Sequence, residues 1–223
     1  MAEIRFAGTG STTTMRAGKI VCLGRNYIEH AKEMKADVPT TPVLFLKPAS
    51  ALIPDGGTIL IPSISNDVHH EVEMVVLIGT GGTSIPEADA MRHVGGYAIG
   101  LDMTLRDVQA EAKKKGLPWT VAKGFDTSAP IGTFVRPDAV PDPHNLAIRL
   151  AVNGQVRQES NTGSMIFRVE QMIAHISSLM TLEPGDLIYT GTPEGVGPVV
   201  PGDTITAELQ HVGSLTVSVA RRS

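Results

Sequence analysis

Cysteine is nearly missing from this chain: Cys22 stands alone. Neither an internal disulfide nor a thiolate cluster for zinc can form, and a reducing compartment, the cytoplasm, is the expected setting. Excess positive charge is missing as well. The formal net charge is -4, with acidic and basic residues scattered throughout, which argues against a main role in binding nucleic acid or anionic membrane. The short run Lys113 to Lys115 reads as a solvated helix face. No stretch approaches the roughly twenty uninterrupted apolar residues of a membrane span, and the N-terminus MAEIRFAGTGSTTTMR has no signal-peptide core. Repeats, low-complexity tracts and long linkers are also lacking. One domain is therefore expected over residues 1–223, with 1–17 as an N-terminal arm or first strand and 18–223 as the core.

What the chain has is punctuation by glycine and proline, with short β-branched runs between: Thr58 to Ile61, Glu73 to Ile78, Leu146 to Val152 and Leu215 to Val219. Helical patterns are fewer, at Tyr27 to Lys35, Glu87 to Val94, Thr104 to Lys115 and Arg168 to Leu179. The fold class is α+β and strand-rich, with the sheets carrying the core. Pro184-Gly185-Asp186 and Pro201-Gly202-Asp203 read as tight turns, and Pro137 to Pro143 as a surface connection.

One constellation is acidic. In His69-His70-Glu71-Val72-Glu73, followed by the apolar run Met74 to Ile78, a strand of period two sends Glu71 and Glu73 to the same face. Two carboxylates that close repel unless they are protonated or neutralised, and a divalent cation is the common neutraliser. A plain exposed strand face is the competing reading. Asp102 follows the apolar stretch Val94 to Leu101, where a buried strand delivers it to one end of a sheet, or else it caps the helix that follows. Three oxygen donors without thiolates suit Mg2+ or Mn2+ better than zinc or copper. Of the two histidines, one is expected in the core and one exposed.

These blocks, together with Gly24-Arg25-Asn26-Tyr27, Phe45-Leu46-Lys47-Pro48, Gly95-Gly96-Tyr97, Arg106-Asp107-Val108-Gln109, Lys114 to Thr120 with Ala122-Lys123, and Gly191-Thr192-Pro193-Glu194-Gly195-Val196-Gly197, resemble the fumarylacetoacetate hydrolase family from about Lys19 onward. The likeness is to its short acylpyruvate hydrolase and oxaloacetate decarboxylase members. It implies mixed sheets rolled into a sandwich-like barrel with a few outer helices, a homodimer, and a metal held by Glu71, Glu73 and Asp102.

The resemblance further implies a small-molecule 2-oxo acid substrate such as fumarylpyruvate or acetylpyruvate, and a place in aromatic catabolism. Water attacks the 4-carbonyl, and the pyruvate enolate leaves with its charge stabilised by a Lewis acid. His30 and Glu33, three apart on a helix that forms a lid in similar proteins, are the expected catalytic dyad. Lys123 is expected to hold the substrate carboxylate or stabilise an oxyanion, and Arg106, Gln109 and Thr192 to bind the carboxylate. Arg25 and Lys47 line the pocket or form a structural ion pair. The glycine loop 191–197 lacks the Gly-Lys-Ser/Thr ending of a phosphate-binding loop. Two alternatives stand beside the hydrolase: an oxaloacetate decarboxylase or keto–enol tautomerase using the same metal and enolate, and a non-catalytic metal-binding protein whose site is closed by protein ligands.

Overall fold

The computed structural model of the protein describes residues 3–6, 13–34 and 37–222. At its centre is a seven-stranded mixed sheet in the order Val43–Lys47, Ile20–Gly24, Leu187–Tyr189, Val72–Ile78, Val94–Leu101, Ala129–Ile131, Leu52–Pro54. Every residue of Val72–Ile78 is buried, because both faces of this sheet are covered. Met74, Val76 and Ile78 pack with Ile148, Leu150, Ile205 and Val217 of a second sheet. Val75 and Leu77 face the other way, against Ile20, Cys22, Leu187 and Phe134. A strand buried on both faces has no polar alternation to keep, which is why its sequence reads as one apolar run.

The second sheet has five strands, ordered Gln155–Asn161, Ala147–Val152, Thr204–Leu209, Gly213–Arg221, Thr58–Ile61. Thr204–Leu209 alternates exposed and buried along its length, so Ile205, Ala207 and Leu209 point inward and Thr204, Thr206 and Glu208 outward, as a half-solvated sheet demands. A three-stranded ribbon, Thr104–Leu105, Val68–His70 and Gly197–Val199, closes one end, and Glu3–Phe6 pairs with Thr13–Arg16 in a hairpin. The strand-rich α+β expectation holds.

Among the described residues, four α-helices lie outside the sheets: α1 (Ile28–Glu33), α2 (Arg106–Lys115), α3 (Thr120–Lys123) and α4 (Val169–Leu179). The expected helix from Thr104 begins two residues late. Thr104–Leu105 instead pair with His69 and Val68, and the N-cap is Leu105. Asp102 is thus no helix cap. The pattern Glu87 to Val94 forms a 3-10 helix, Glu87–His93. At the end of the pattern Tyr27 to Lys35, residue 35 lies outside the described residues, as do the first two residues and 7–12 of the expected N-terminal arm.

Candidate active site

Glu71 sits at a junction. Val68–His70 belongs to the three-stranded ribbon and Val72–Ile78 to the seven-stranded sheet, so the chain changes sheets at Glu71 itself. The register of Val72–Ile78 with Val94–Leu101 pairs Val72 with Leu101 and Glu73 with Gly100. One step further on, Asp102 N donates to Glu71 O at 2.9 Å. Two adjacent strands thereby deliver three carboxylates to one sheet end, and one oxygen from each lies within 4.8 Å of the others. All three side chains are buried.

Cations surround them. The Lys123 ammonium donates to Glu71 Oε2 at 2.8 Å, Asp102 Oδ2 at 2.5 Å and Thr104 Oγ1 at 2.6 Å, which uses all three of its protons. Arg106 reaches Glu71 Oε1 at 2.5 Å and Gln109 Oε1 at 2.8 Å. Lys47 Nζ lies 2.8 Å from Asp102 Oδ1 and donates to the carbonyls of Met103 at 3.1 Å, Ser128 at 3.0 Å and Lys123. Glu73 differs: it accepts Gly191 N–H at 2.7 Å, and among the described residues it has no ion-pair partner.

The electrostatics follow from those partners. Burial pushes the Glu71 carboxyl up, but Lys123 and then Arg106 outweigh it and hold the group well below the usual carboxylate range. Burial pushes Glu73 well above that range, and the charges of Asp102 and Glu71 add to the rise. Lys123 loses by burial but gains more from Asp102 and Glu71, so its ammonium is held on. A clustered set of hard oxygen donors with one carboxylate lacking a positive partner fits a divalent metal, because the ion supplies the charge that Glu73 lacks.

Above the carboxylates lies a cavity of about 40 Å3, lined by Arg25, His30, Glu71, Glu73, Arg106, Gln109, Lys113, Trp119, Lys123 and Thr192. The expected residues are therefore brought together, with two qualifications. Lys47 and Asp102 stand behind the wall rather than in it, Lys47 in the ion pair that was the alternative to a pocket role. Lys113, read as a solvated surface residue, lies on the cavity wall, 5.1 Å from the centre of the Trp119 ring. Burial and the neighbouring charges of Arg106, Lys123 and Arg25 lower its pKa.

The helix α1 covers this space. Asn26 anchors its approach, donating to Thr190 O at 2.7 Å and Phe167 O at 3.1 Å and accepting Phe167 N–H at 2.7 Å. Arg25 before it has a left-handed backbone, φ 59°. His30 Nδ1 lies 3.1 Å from Glu33 Oε2, and Glu33 Oε1 accepts Gly195 N–H at 3.1 Å. Gly191 and Gly195 have φ of 92° and 90°, and a Cβ on Gly195 would stand 2.2 Å from Arg157 O. Glycine is required there on both counts. Beneath the loop, His70 is buried and bonded to Gln158, whereas His69 is half-buried against Asp67.

The family model described as fumarylacetoacetate (FAA) hydrolase C-terminal matches residues 19–220. The chain belongs to that family. It is 54% identical over 202 residues to oxaloacetate tautomerase FAHD1, mitochondrial, of Mus musculus, covering 91% of each. The Arabidopsis thaliana protein of the same name is 52% identical over 204 residues, 92% of each. Among solved structures of the fumarylacetoacetate hydrolase fold, fumarylpyruvate hydrolase from Pseudomonas aeruginosa, in complex with Mn2+ and pyruvate, superposes with a TM-score of 0.93 at 40% identity, covering 100% of this chain and 97% of that one. The similar proteins named here are a tautomerase and a hydrolase, and the Mn2+ of the latter agrees with the acidic triad found here.

Sequence reasoning passed over Gln158, Lys113 and Asn26. For Gln158 no local signal exists, since Gln155-Val156-Arg157-Gln158-Glu159 reads as a solvated strand. Asn26 stood in a quoted motif without a role.

Proposed function

We propose that this chain is a metal-dependent enzyme of short 2-oxo acids that works through the enol of a pyruvate-like fragment, with keto–enol tautomerisation of oxaloacetate as its leading activity. The observation that carries the reading is the small cavity with carboxylates at its base and Arg25, Arg106, Lys113 and Lys123 on its walls. Four cations gathered around the carboxylates suit an anionic substrate carrying two carboxylates. The 54% identity to a protein named oxaloacetate tautomerase supports the same reading.

Glu71, Glu73 and Asp102 would hold Mg2+ or Mn2+, which when bound would supply Lewis acidity toward the 2-oxo oxygen. Arg106, Gln109 and Thr192 bind the adjacent carboxylate, and Lys113 with Arg25 receives the distal one. His30, oriented by Glu33, takes the C3 proton and the imidazolium so formed returns it to the 2-oxo oxygen, so ketone becomes enol with no atom lost. Lys123, its three protons committed to Glu71, Asp102 and Thr104, acts on the developing charge through its field alone.

Acylpyruvate hydrolysis, placed first by the motif resemblance, becomes the second reading. The His30–Glu33 hydrogen bond favours it, because such a pair also activates water. Water then adds at C4, the C3–C4 bond breaks, and C3 takes up a proton to give pyruvate. A homodimer, a cytoplasmic setting and a role in aromatic catabolism remain proposals; sedimentation tests the first.

The deciding experiment follows decay of oxaloacetate enol absorbance and pyruvate release from oxaloacetate, acetylpyruvate and fumarylpyruvate, each with Mg2+, Mn2+ or EDTA. Metal-dependent enol decay faster than any pyruvate release is expected. Release from acylpyruvates without enol decay moves the assignment to the hydrolase, and silence on every substrate removes the enol chemistry altogether.

A further inference from the structure

Gln158 is buried on the strand Gln155–Asn161. The ladder to Ala147–Val152 slips beside it: Leu150 faces Gln158 but Ala151 faces Val156, leaving Arg157 unpaired. Such a bulge re-aims the neighbouring side chain. Here it sends the Gln158 amide between the carboxylate-bearing strand and the glycine loop 191–197.

Two partners of fixed polarity decide which end of that amide is which. Val72 N–H can only donate, so the atom 3.1 Å from it is Oε1. Pro193 O can only accept, so the atom 2.9 Å from it is Nε2. The remaining Nε2 proton goes to Thr192 Oγ1 at 2.8 Å. Oε1 also lies 3.0 Å from His70 Nδ1, which is therefore the protonated ring nitrogen.

Polarity then passes to the cavity. Thr192 Oγ1 already accepts from Gln158, and its own proton has no acceptor among the described residues. Thr192 lines the cavity. An ionised carboxylate offers only acceptors, so a hydroxyl is useful to it only as a donor. We propose that Gln158 is a positioning residue: it holds the Thr192 hydroxyl as a donor directed into the cavity, onto a carboxylate oxygen of the 2-oxo acid. This rests on the carboxylate-binding role given to Thr192 above.

The test is a double-mutant cycle on the full chain with saturating Mn2+. Pyruvate affinity is read from the fluorescence of Trp119, the single tryptophan and a cavity residue, beside KM and kcat for oxaloacetate. Thr192→Val weakens pyruvate binding roughly ten-fold, the cost of losing a hydrogen bond to a charged group, while Thr192→Ser retains it. Gln158→Glu presents an acceptor to Thr192, turns its proton inward, and weakens pyruvate to a similar degree, with KM rising more than kcat falls. In the Gln158→Glu background Thr192→Val then costs little more. Additive losses overturn the proposal. If Gln158→Glu does not fold, Gln158→Met takes its place in the cycle, and full additivity there overturns it equally. A wild-type chain that neither binds pyruvate nor turns over oxaloacetate removes the carboxylate from the site, and the proposal with it; binding with an additive cycle overturns this proposal alone.

Discussion

Lys113 and Glu73 show how much the role of a residue depends on what faces it. Burial first, then Arg106, Lys123 and Arg25, depress the pKa of Lys113 on the cavity wall, so the second carboxylate of the proposed substrate would relieve repulsion there. Lys113→Met is expected to lower kcat/KM for oxaloacetate roughly ten-fold, in line with a charged hydrogen bond, and to leave acetylpyruvate, which has no distal carboxylate, nearly unchanged. Equal losses on both substrates would remove the distal-carboxylate role. Glu73 titrates high in the metal-free protein because of burial first and Asp102 and Glu71 next. The folded state therefore binds its proton more tightly than the unfolded chain does. That contribution is present below the ordinary carboxylate pKa and is lost as pH rises through the raised value. Glu71 runs oppositely, since its depressed carboxyl contributes above the ordinary range and fails only in stronger acid. In EDTA, Glu73→Gln should flatten the decline in Tm from about pH 5 to neutrality and raise Tm at neutral pH; an unchanged pH profile would count against the charge crowding.

At the scale of elements, α1 and the loop 191–197 form one working unit on a rigid sheet. A helix of six residues, Ile28–Glu33, is too short to be stable by itself and is held by contacts such as Glu33 to Gly195 N–H. Its amides should exchange with deuterium far faster than those of Val72–Ile78 and slow markedly when Mn2+ and pyruvate are added. Comparable protection in both segments without ligand would contradict a lid. Gly195→Ala combines a left-handed φ of 90° with a Cβ placed 2.2 Å from Arg157 O. It should lower stability by about 1–3 kcal/mol and activity by at least ten-fold, as the loop shifts and Glu33 loses its amide; assays and thermal melts on the one variant measure both. This unit was only half legible in the sequence. Period two announced Glu71 and Glu73, and i, i+3 spacing announced His30 and Glu33, because those relations are local. Gln158 to Val72 spans 86 residues and Gly195 to Glu33 spans 162, and no periodicity reports contacts that the topology alone creates. The sheet change at Glu71 was hidden for the same reason: a strand pattern continues unbroken through it.

The whole molecule sets the terms on which the site is built. The seven-stranded sheet is covered on both faces, so its strand ends are stiff enough to hold three carboxylates together before any ion arrives. Strand-rich class and the apolar run Met74 to Ile78 were readable from composition and pattern, whereas the order of the sheets was not, since strands distant in sequence supply neighbours such as Ile188 to Val76 and Val21. A divalent ion binding only the folded chain adds about 2.7 kcal/mol at a hundred times its Kd, which for a protein of this length is roughly 5–10 °C in Tm. Differential scanning fluorimetry with EDTA, Mg2+ and Mn2+ should show that rise, and Asp102→Asn should abolish it; a rise that survives the substitution would place the ion elsewhere.

The shared carboxylate of Glu33, bonded to His30 through one oxygen and to Gly195 through the other, makes seating of the helix and alignment of the imidazole a single event. On the proposed function, a molecule too long for α1 to cover would occupy the carboxylate end of the cavity without meeting an aligned His30. Selection by length would then take the form of competitive inhibition instead of slow turnover.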